Sequence, residues 1–140
     1  MTQLGLGTAQ FGMPYGISNW QGQTPHAELV AILALAGSAG IRVLDTAALY
    51  GSSESALGAA LAKKHPFRIV TKTPDFRVLP DPAQGAAELK RTFEHSLSSL
   101  RQSSVYGLLV HSASDLFRPG GDAIWREMEA PLSLEDLAAL

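Results

Sequence analysis

Four polar side chains at or near the ends of apolar runs are chemically matched to one another: Asp45, Tyr50, Lys72 and His111. A tyrosine normally loses its proton near pH 10, and a neighbouring ammonium lowers that pKa because it stabilises the phenolate. With Lys72 beside Tyr50, and Asp45 keeping the lysine charged and oriented, Tyr50 could protonate a carbonyl oxygen as it becomes an alkoxide. His111 would hydrogen-bond that oxygen, and a nicotinamide is the natural source of a hydride for the carbon.

These side chains can meet only if the chain forms parallel strands whose carboxyl ends share one edge. Short aliphatic and β-branched runs predict strands at residues 4–7, 41–44, 67–71 and 105–110. Polar or small residues stand at the ends of these runs: Gly7-Thr8, Asp45, Lys72 and His111. In a parallel α/β barrel the carboxyl ends of the strands converge on the face that holds the active site. The pattern therefore brings Asp45, Lys72 and His111 together, with Tyr50 folding back over them from a loop.

Helical patterns alternate with the predicted strands. The first has Thr24 as N-cap, Pro25 at the first helical position and Gly40 as C-cap. Its buried face is predicted to hold Leu29, Ile32, Leu33 and Ala36. Further helices are predicted at about 53–63, 84–100 and 121–130, the last with Ile124, Trp125 and Met128 in its core face.

The order βαβαβαβα predicts an α/β fold of parallel strands joined by right-handed crossovers. An eight-unit barrel needs about 250 residues, so four units amount to half of one. An open doubly wound sheet shows the same alternation, and periodicity alone does not separate the two. Residues 1–140 are expected to form a single domain, with Ser133 as the N-cap of a stray helix within 131–140. No apolar run precedes that helix, so either a fifth strand near Ala130 has been lost or the chain ends in a stray helix.

The composition excludes several classes of protein. Hydrophobic residues make up 46% and charged residues 17%, with a net charge of -2, which indicates a globular chain rather than a disordered one. That charge does not favour nucleic acid or an anionic membrane surface as a partner. The sequence has no cysteine, and His26, His65 and His95 share no metal-ligand spacing, so no metal is expected. With no predicted signal peptide or membrane-spanning segment, the expected location is the cytoplasm.

Several segments together resemble the aldo-keto reductase family, in order and at suitable spacing. They are Leu6-Gly7-Thr8-Ala9, residues 43–51 (VLDTAALYG), residues 54–58 (ESALG), Val70-Thr71-Lys72 and Leu109-Val110-His111. The D-T-A-x-x-Y-G…E…L-G pattern is the specific part of this resemblance, which extends to about Ala130. It implies a (β/α)8 TIM barrel, of which this chain would be the N-terminal half with about four βα units.

The resemblance also implies an activity. The family's Asp, Tyr, Lys and His tetrad falls on Asp45, Tyr50, Lys72 and His111. It implies an oxidoreductase that reduces small aldehydes or ketones with NADPH, NADH remaining open, and with Gly7, Thr8 and Asp45 as cofactor neighbours. Later strands of the family supply most of the groups that hold the cofactor, so we expect weak activity from residues 1–140 alone. The alternative is an inactive remnant, or a half-barrel module that self-associates through exposed strand edges.

Each of these residues also has a structural interpretation. Alone, Asp45 could cap a turn, Tyr50 could be a packing aromatic, Lys72 a solvated lysine, and His111 a core histidine or turn residue. Glu54 is expected to stabilise the start of a helix, while Gly51 and Gly58 are expected to serve a turn and a close contact. Two interpretations stay open for the aromatic residues of the first loop, which could line a substrate pocket or pack the loop: Phe11, Tyr15 and Trp20.

Overall fold

A four-stranded parallel sheet is the framework of the computed structural model, which describes residues 4–79 and 81–129. Its strands are β1 (Gly5–Gly7), β2 (Val43–Asp45), β3 (Arg68–Lys72) and β4 (Gly107–Leu109). They lie side by side in the order β1-β2-β3-β4, and every neighbouring pair is parallel. Consecutive parallel strands require crossovers, and helices supply them. The predicted α/β fold is confirmed.

The helices follow the predicted alternation. They are α1 (Ala9–Gly12), α2 (His26–Ser38), α3 (Ser53–Ala60), α4 (Gly85–Leu100) and α5 (Gly121–Glu129). Short 3-10 turns lie at Phe76–Val78, Pro82–Gln84 and Ala113–Phe117. The four-residue α1 was not predicted, because one helical turn leaves no periodic pattern to detect. No helix in the described part of the chain is long and apolar enough to cross a membrane.

The start of α2 differs from the prediction, whereas its end agrees. Pro25, not Thr24, occupies the N-cap position, because the Thr24 backbone N–H donates to the Gln10 carbonyl and so belongs to the preceding loop. Gly40 has a φ of 82° and donates to the Gly37 carbonyl, and the next N–H, from Ile41, reaches the Ala36 carbonyl. These two bonds form a Schellman motif, so the predicted C-cap glycine is confirmed.

The other boundaries moved by a few residues. The helix predicted over 53–63 ends at Ala60, since Leu61 already has extended backbone with a ψ of 133°. The strand predicted over 41–44 is shifted to Val43–Asp45, which makes Asp45 its last residue. Lys72 likewise is the last residue of β3 rather than the residue after it.

All the helices cover one face of the sheet. Leu44 and Ile69 point to that face and are buried against α2, α3 and α4 in the main core. The apolar side chains that join them there are Phe11, Leu29, Leu33, Leu57 and Leu100. A doubly wound sheet has helices on both faces, whereas a barrel has them only outside. Consecutive strand order with one covered face is therefore the geometry of a barrel segment.

The opposite face, called here the open face, holds the alternate strand residues. Val43, Val70 and Leu109 lie on it, and Leu109 is 49% exposed. Side chains of adjacent strand residues point to opposite faces, which places Asp45 and Lys72 on the open face as well.

A second apolar cluster joins α4 and α5 to the turn at Phe76–Val78. Phe76, Leu89, Ile124 and Met128 are buried in it. Trp125, predicted to be in the helix core, is instead 48% exposed, because Ile124 and Met128 are one helical turn apart and take the buried stripe. The predicted missing strand near Ala130 and the helix within 131–140 lie outside the described residues.

Candidate active site

Asp45 and Lys72 meet at the carboxyl ends of neighbouring strands. The Lys72 Nζ donates to Oδ1 of Asp45 at 2.5 Å and to the Thr46 carbonyl at 2.9 Å. Only 14% of the Lys72 side chain is exposed, against 41% for Asp45. A charge-assisted bond and a carbonyl therefore hold a largely buried ammonium in one place. This geometry excludes the interpretation of Lys72 as a freely solvated lysine.

Tyr50 folds back over that ammonium from the loop after β2. Its N–H donates to the Ala47 carbonyl, which forms a tight turn, and its ring centroid lies 4.9 Å from the Lys72 Nζ. Gly51 follows with a φ of 58°, and a Cβ there would come within 2.4 Å of the Gly12 carbonyl oxygen. Gly51 is therefore the turn glycine that the sequence predicted, and it lets the Tyr50 loop close against α1.

His111 reaches the same place from the end of β4. Its ring centroid lies 5.9 Å from that of Tyr50, with the two planes at 75°. Its backbone N–H donates to the Thr73 Oγ1 at 3.0 Å. The Nδ1 atom is buried and has no hydrogen-bond partner among the described residues. All four predicted site residues are thus adjacent, although the first and the last are 66 positions apart in the sequence.

The sequence of residues 3–129 matches the sequence profile of the Aldo/keto reductase family. This chain belongs to the aldo-keto reductase family. Two structures from Pseudomonas aeruginosa that are assigned to this family are similar to it. One is 31% identical with a TM-score of 0.76 and aligns over 93% of this chain; the other is 30% identical with a TM-score of 0.65 and aligns over 91%.

The chain spans about half the length of these aldo-keto reductases, since the match covers 51% of each Pseudomonas aeruginosa chain. The holo form of an aldo-keto reductase from Bacillus halodurans shares the fold, with a TM-score of 0.66 at 21% identity over 92% of this chain and 41% of its own. No curated protein sequence matches the chain significantly.

A layer of buried hydroxyl groups lies behind the four residues of this aldo-keto reductase chain, and sequence reasoning missed it. The Ser53 Oγ donates to the Thr8 carbonyl at 2.8 Å and lies within 3.2 Å of the Thr46 Oγ1, while the Thr8 Oγ1 bonds the Asp45 carbonyl. The members are fully buried: Thr8, Thr46, Ser53, Thr71 and Thr73. Its signal in the sequence is a threonine next to the ends of the first three strands, at Gly7, Asp45 and Lys72.

Glu54 belongs to this layer. It is 5% exposed, stands in the first turn of α3 and accepts a hydrogen bond of 2.6 Å from the Thr71 Oγ1. It therefore joins α3 to β3 one residue before Lys72. The predicted structural role of Glu54 at the helix start agrees with this position, where a negative charge meets the positive end of the helix dipole.

The predicted cofactor neighbours Gly7 and Thr8 point in different directions. Gly7 is in register with Asp45, and a Cβ added to it would meet nothing within 4 Å, so open space lies above it. The Thr8 side chain instead faces the helices, where its hydroxyl is fully buried and bonded to the Asp45 carbonyl. Thr8 can therefore offer only backbone atoms to the open face, since adjacent strand residues alternate.

The aromatic residues of the first loop differ in their exposure. Phe11 is 4% exposed and packs in the main core, whereas Tyr15 and Trp20 are 58% and 93% exposed. Asn19 orders the loop by donating to the Tyr15 and Gly22 carbonyls and by accepting from two backbone N–H groups. Tyr15 and Trp20 line an open cavity of about 370 Å³. In the described part of the chain, no three His, Cys, Asp or Glu side chains are grouped to hold a metal ion.

Proposed function

We propose that this chain carries the catalytic residues of an NAD(P)H-dependent reductase that converts aldehydes or ketones to alcohols. One observation carries the proposal: the Lys72 ammonium lies between the Asp45 carboxylate, at 2.5 Å, and the Tyr50 ring, at 4.9 Å from its centroid. A phenol beside a held ammonium is a proton donor whose conjugate base is stabilised. That is what a carbonyl oxygen needs as negative charge develops on it.

The side chains divide the work of such a reduction. When bound, the nicotinamide supplies a hydride to the carbonyl carbon. Tyr50 gives its proton to the carbonyl oxygen, and Lys72 stabilises the phenolate that remains. Asp45 holds Lys72 in place, and His111, whose ring centroid lies 5.9 Å from that of Tyr50, orients the carbonyl oxygen.

The open face offers space for the nicotinamide cofactor beside these residues. Gly7 has no atom within 4 Å of the position of a Cβ, and Asp45 lies next to it in register. NADPH is the proposed cofactor because it is the usual one in the family, and the choice between it and NADH depends on groups beyond the described residues. A cysteine-free sequence and a reductive reaction both fit the cytoplasm as its location.

The test follows NADPH absorbance with small aldehydes. The protein is residues 1–140, together with a chimera in which the remaining strands come from the Pseudomonas aeruginosa relative of 31% identity. Tyr50→Phe should lower turnover by about 10²- to 10⁴-fold, the usual contribution of a general acid. Tyr106→Phe is the matched control, because Tyr106 is 63% exposed and contacts Arg68 at the amino end of the sheet. An unchanged rate in Tyr50→Phe contradicts the proposed role.

A further inference from the structure

Where the pairing of β3 with β4 ends, a side-chain oxygen replaces a backbone carbonyl as the acceptor of one hydrogen bond. The Thr73 N–H donates to the Leu109 carbonyl at 2.9 Å, as a regular parallel ladder requires. The next bond of that ladder would run from the His111 N–H to the Thr73 carbonyl. Instead, the His111 N–H donates to the Thr73 side-chain Oγ1 at 3.0 Å.

The reason lies in the path of the chain after β3. Pro74 follows Thr73 directly, and the chain then turns into the 3-10 segment at Phe76–Val78. The Thr73 side chain, which is fully buried, supplies the acceptor that the His111 N–H would otherwise lack. The chain can therefore leave the sheet after β3 while His111 stays held beside it.

This bond matters for the His111 ring because little else holds it. The ring meets Tyr50 edge-on, and its buried Nδ1 has no partner among the described residues. Thr73 is also the covalent neighbour of Lys72, so it joins two of the four site residues. We propose that Thr73 is a positioning residue, whose hydroxyl oxygen sets the place of His111 relative to Lys72 and Tyr50. The consequence of this positioning for catalysis rests on the proposed function, but the effect of Thr73 on His111 does not.

The experiment measures amide hydrogen exchange of His111 by NMR in Thr73→Val and Thr73→Ser. Valine keeps the shape of threonine but removes the acceptor, whereas serine keeps the acceptor. Exchange at His111 should rise about tenfold in Thr73→Val, the order expected when one hydrogen bond is lost. It should stay within about twofold of the original in Thr73→Ser, since the hydroxyl remains. The Leu44 amide in the buried core serves as the reference for global unfolding.

Thr92→Val is the matched control, because Thr92 is a buried threonine on α4 whose hydroxyl hydrogen-bonds the Glu88 side chain of the same helix. It should leave His111 exchange unchanged. Unchanged exchange in a folded Thr73→Val overturns the proposal. If Thr73→Val does not fold, Thr73→Ser decides: original protection of His111 supports the proposal, and loss of protection overturns it.

The same variants separate this inference from the proposed function. In the reductase assay, Thr73→Val should lower kcat/KM for the aldehyde by on the order of 100-fold, because misplacement of a catalytic group by about 1 Å has that effect. NADPH affinity should stay within about twofold, and Thr73→Ser should restore the rate. A folded chimera without any turnover that still shows the exchange effect contradicts the proposed reductase but not the role of Thr73 in placing His111.

Discussion

The Lys72 Nζ lies 2.5 Å from the Asp45 Oδ1, and the two residues are the last of neighbouring strands β3 and β2. The pair is only partly buried, and partly exposed ion pairs contribute little to the stability of a fold. Its clearer consequence is positional, because the ammonium that Asp45 holds lies under the Tyr50 ring.

Replacing Asp45 by asparagine should therefore impair the reaction much more than the fold. In Asp45→Asn, turnover of the proposed reductase should fall by at least about 100-fold, since Lys72 loses the group that orients it. The free energy of unfolding in urea should fall by less than about 2 kcal/mol. Asp122→Asn, at an exposed position in the first turn of α5, should leave turnover unchanged and lower the free energy of unfolding by no more than about 1 kcal/mol. A loss of turnover in Asp45→Asn that merely follows the loss of folded protein would contradict a positional role.

Gly58 lies where α3 packs directly against the backbone of α4. A Cβ at Gly58 would lie 2.1 Å from the Ser99 carbonyl oxygen and 2.8 Å from the Leu100 carbonyl carbon. These are backbone atoms that cannot rotate away, so Gly58→Ala should lower the free energy of unfolding by about 1–3 kcal/mol or more. Chemical denaturation monitored by circular dichroism measures the change. An unchanged free energy of unfolding in Gly58→Ala would show that α3 and α4 can move apart without destabilising the fold.

At Gly7, in contrast to Gly58, there is room for a side chain. Its side-chain position is empty to 4 Å, so Gly7→Val should fold normally but fill space that the proposed nicotinamide needs. Fluorescence titration should show NADPH affinity reduced by about tenfold or more, because even a small overlap with a ligand is costly. Gly107→Ala is the control on the same face, where a Cβ would make ordinary contact with Val70. Unaltered NADPH binding in Gly7→Val would place the cofactor elsewhere.

The Asp75 carboxylate should give the chain a local acid sensitivity. Hydrogen bonds from the Arg77 side chain and N–H lower the pKa of Asp75 to about 2. A carboxyl group with a lowered folded pKa adds stability that is fully present above its unfolded pKa of about 3.9 and is lost as the pH falls toward 2. Carboxyl-carbon NMR should therefore show Asp75 still ionised at pH 3. In Arg77→Met its midpoint should return toward 3.9, and a midpoint that stays near 2 would contradict the cause.

The exposure of apolar side chains on the open face leads to a prediction for the stability, turnover and self-association of residues 1–140 in isolation. Leu109 is 49% exposed there, and β1 and β4 are the edges of the sheet in the described residues. Burial of one such aliphatic side chain is worth roughly 1.5–3 kcal/mol, against a total stability of about 5–15 kcal/mol. We expect a low melting temperature, weak turnover and concentration-dependent self-association through the edges. Size-exclusion chromatography and thermal melting test this, and a sharply melting, high-temperature monomer with Tyr50-dependent turnover would contradict it.

The sequence by itself determined the alternation of strands and helices and predicted the four candidate site residues. Both are local or periodic properties: aliphatic runs of strand length, a glycine after the last turn of α2, and polar residues at the strand ends. Because parallel strands align their carboxyl ends, knowing the strand ends was enough to predict that Asp45, Lys72 and His111 meet. The D-T-A-x-x-Y-G pattern added Tyr50 and the family.

Tertiary structure decided the orientation of the side chains that periodicity left open and which atoms touch. The exposure of Trp125 and the inward turn of the Thr8 hydroxyl depend on what packs against them, which periodicity does not contain. The bond from the His111 N–H to the Thr73 Oγ1 joins residues 38 positions apart. It exists only because β3 and β4 pair in one register and the chain leaves the sheet after Thr73. Contacts of this kind follow from how separate segments fit together in space, and no local pattern in the sequence encodes them.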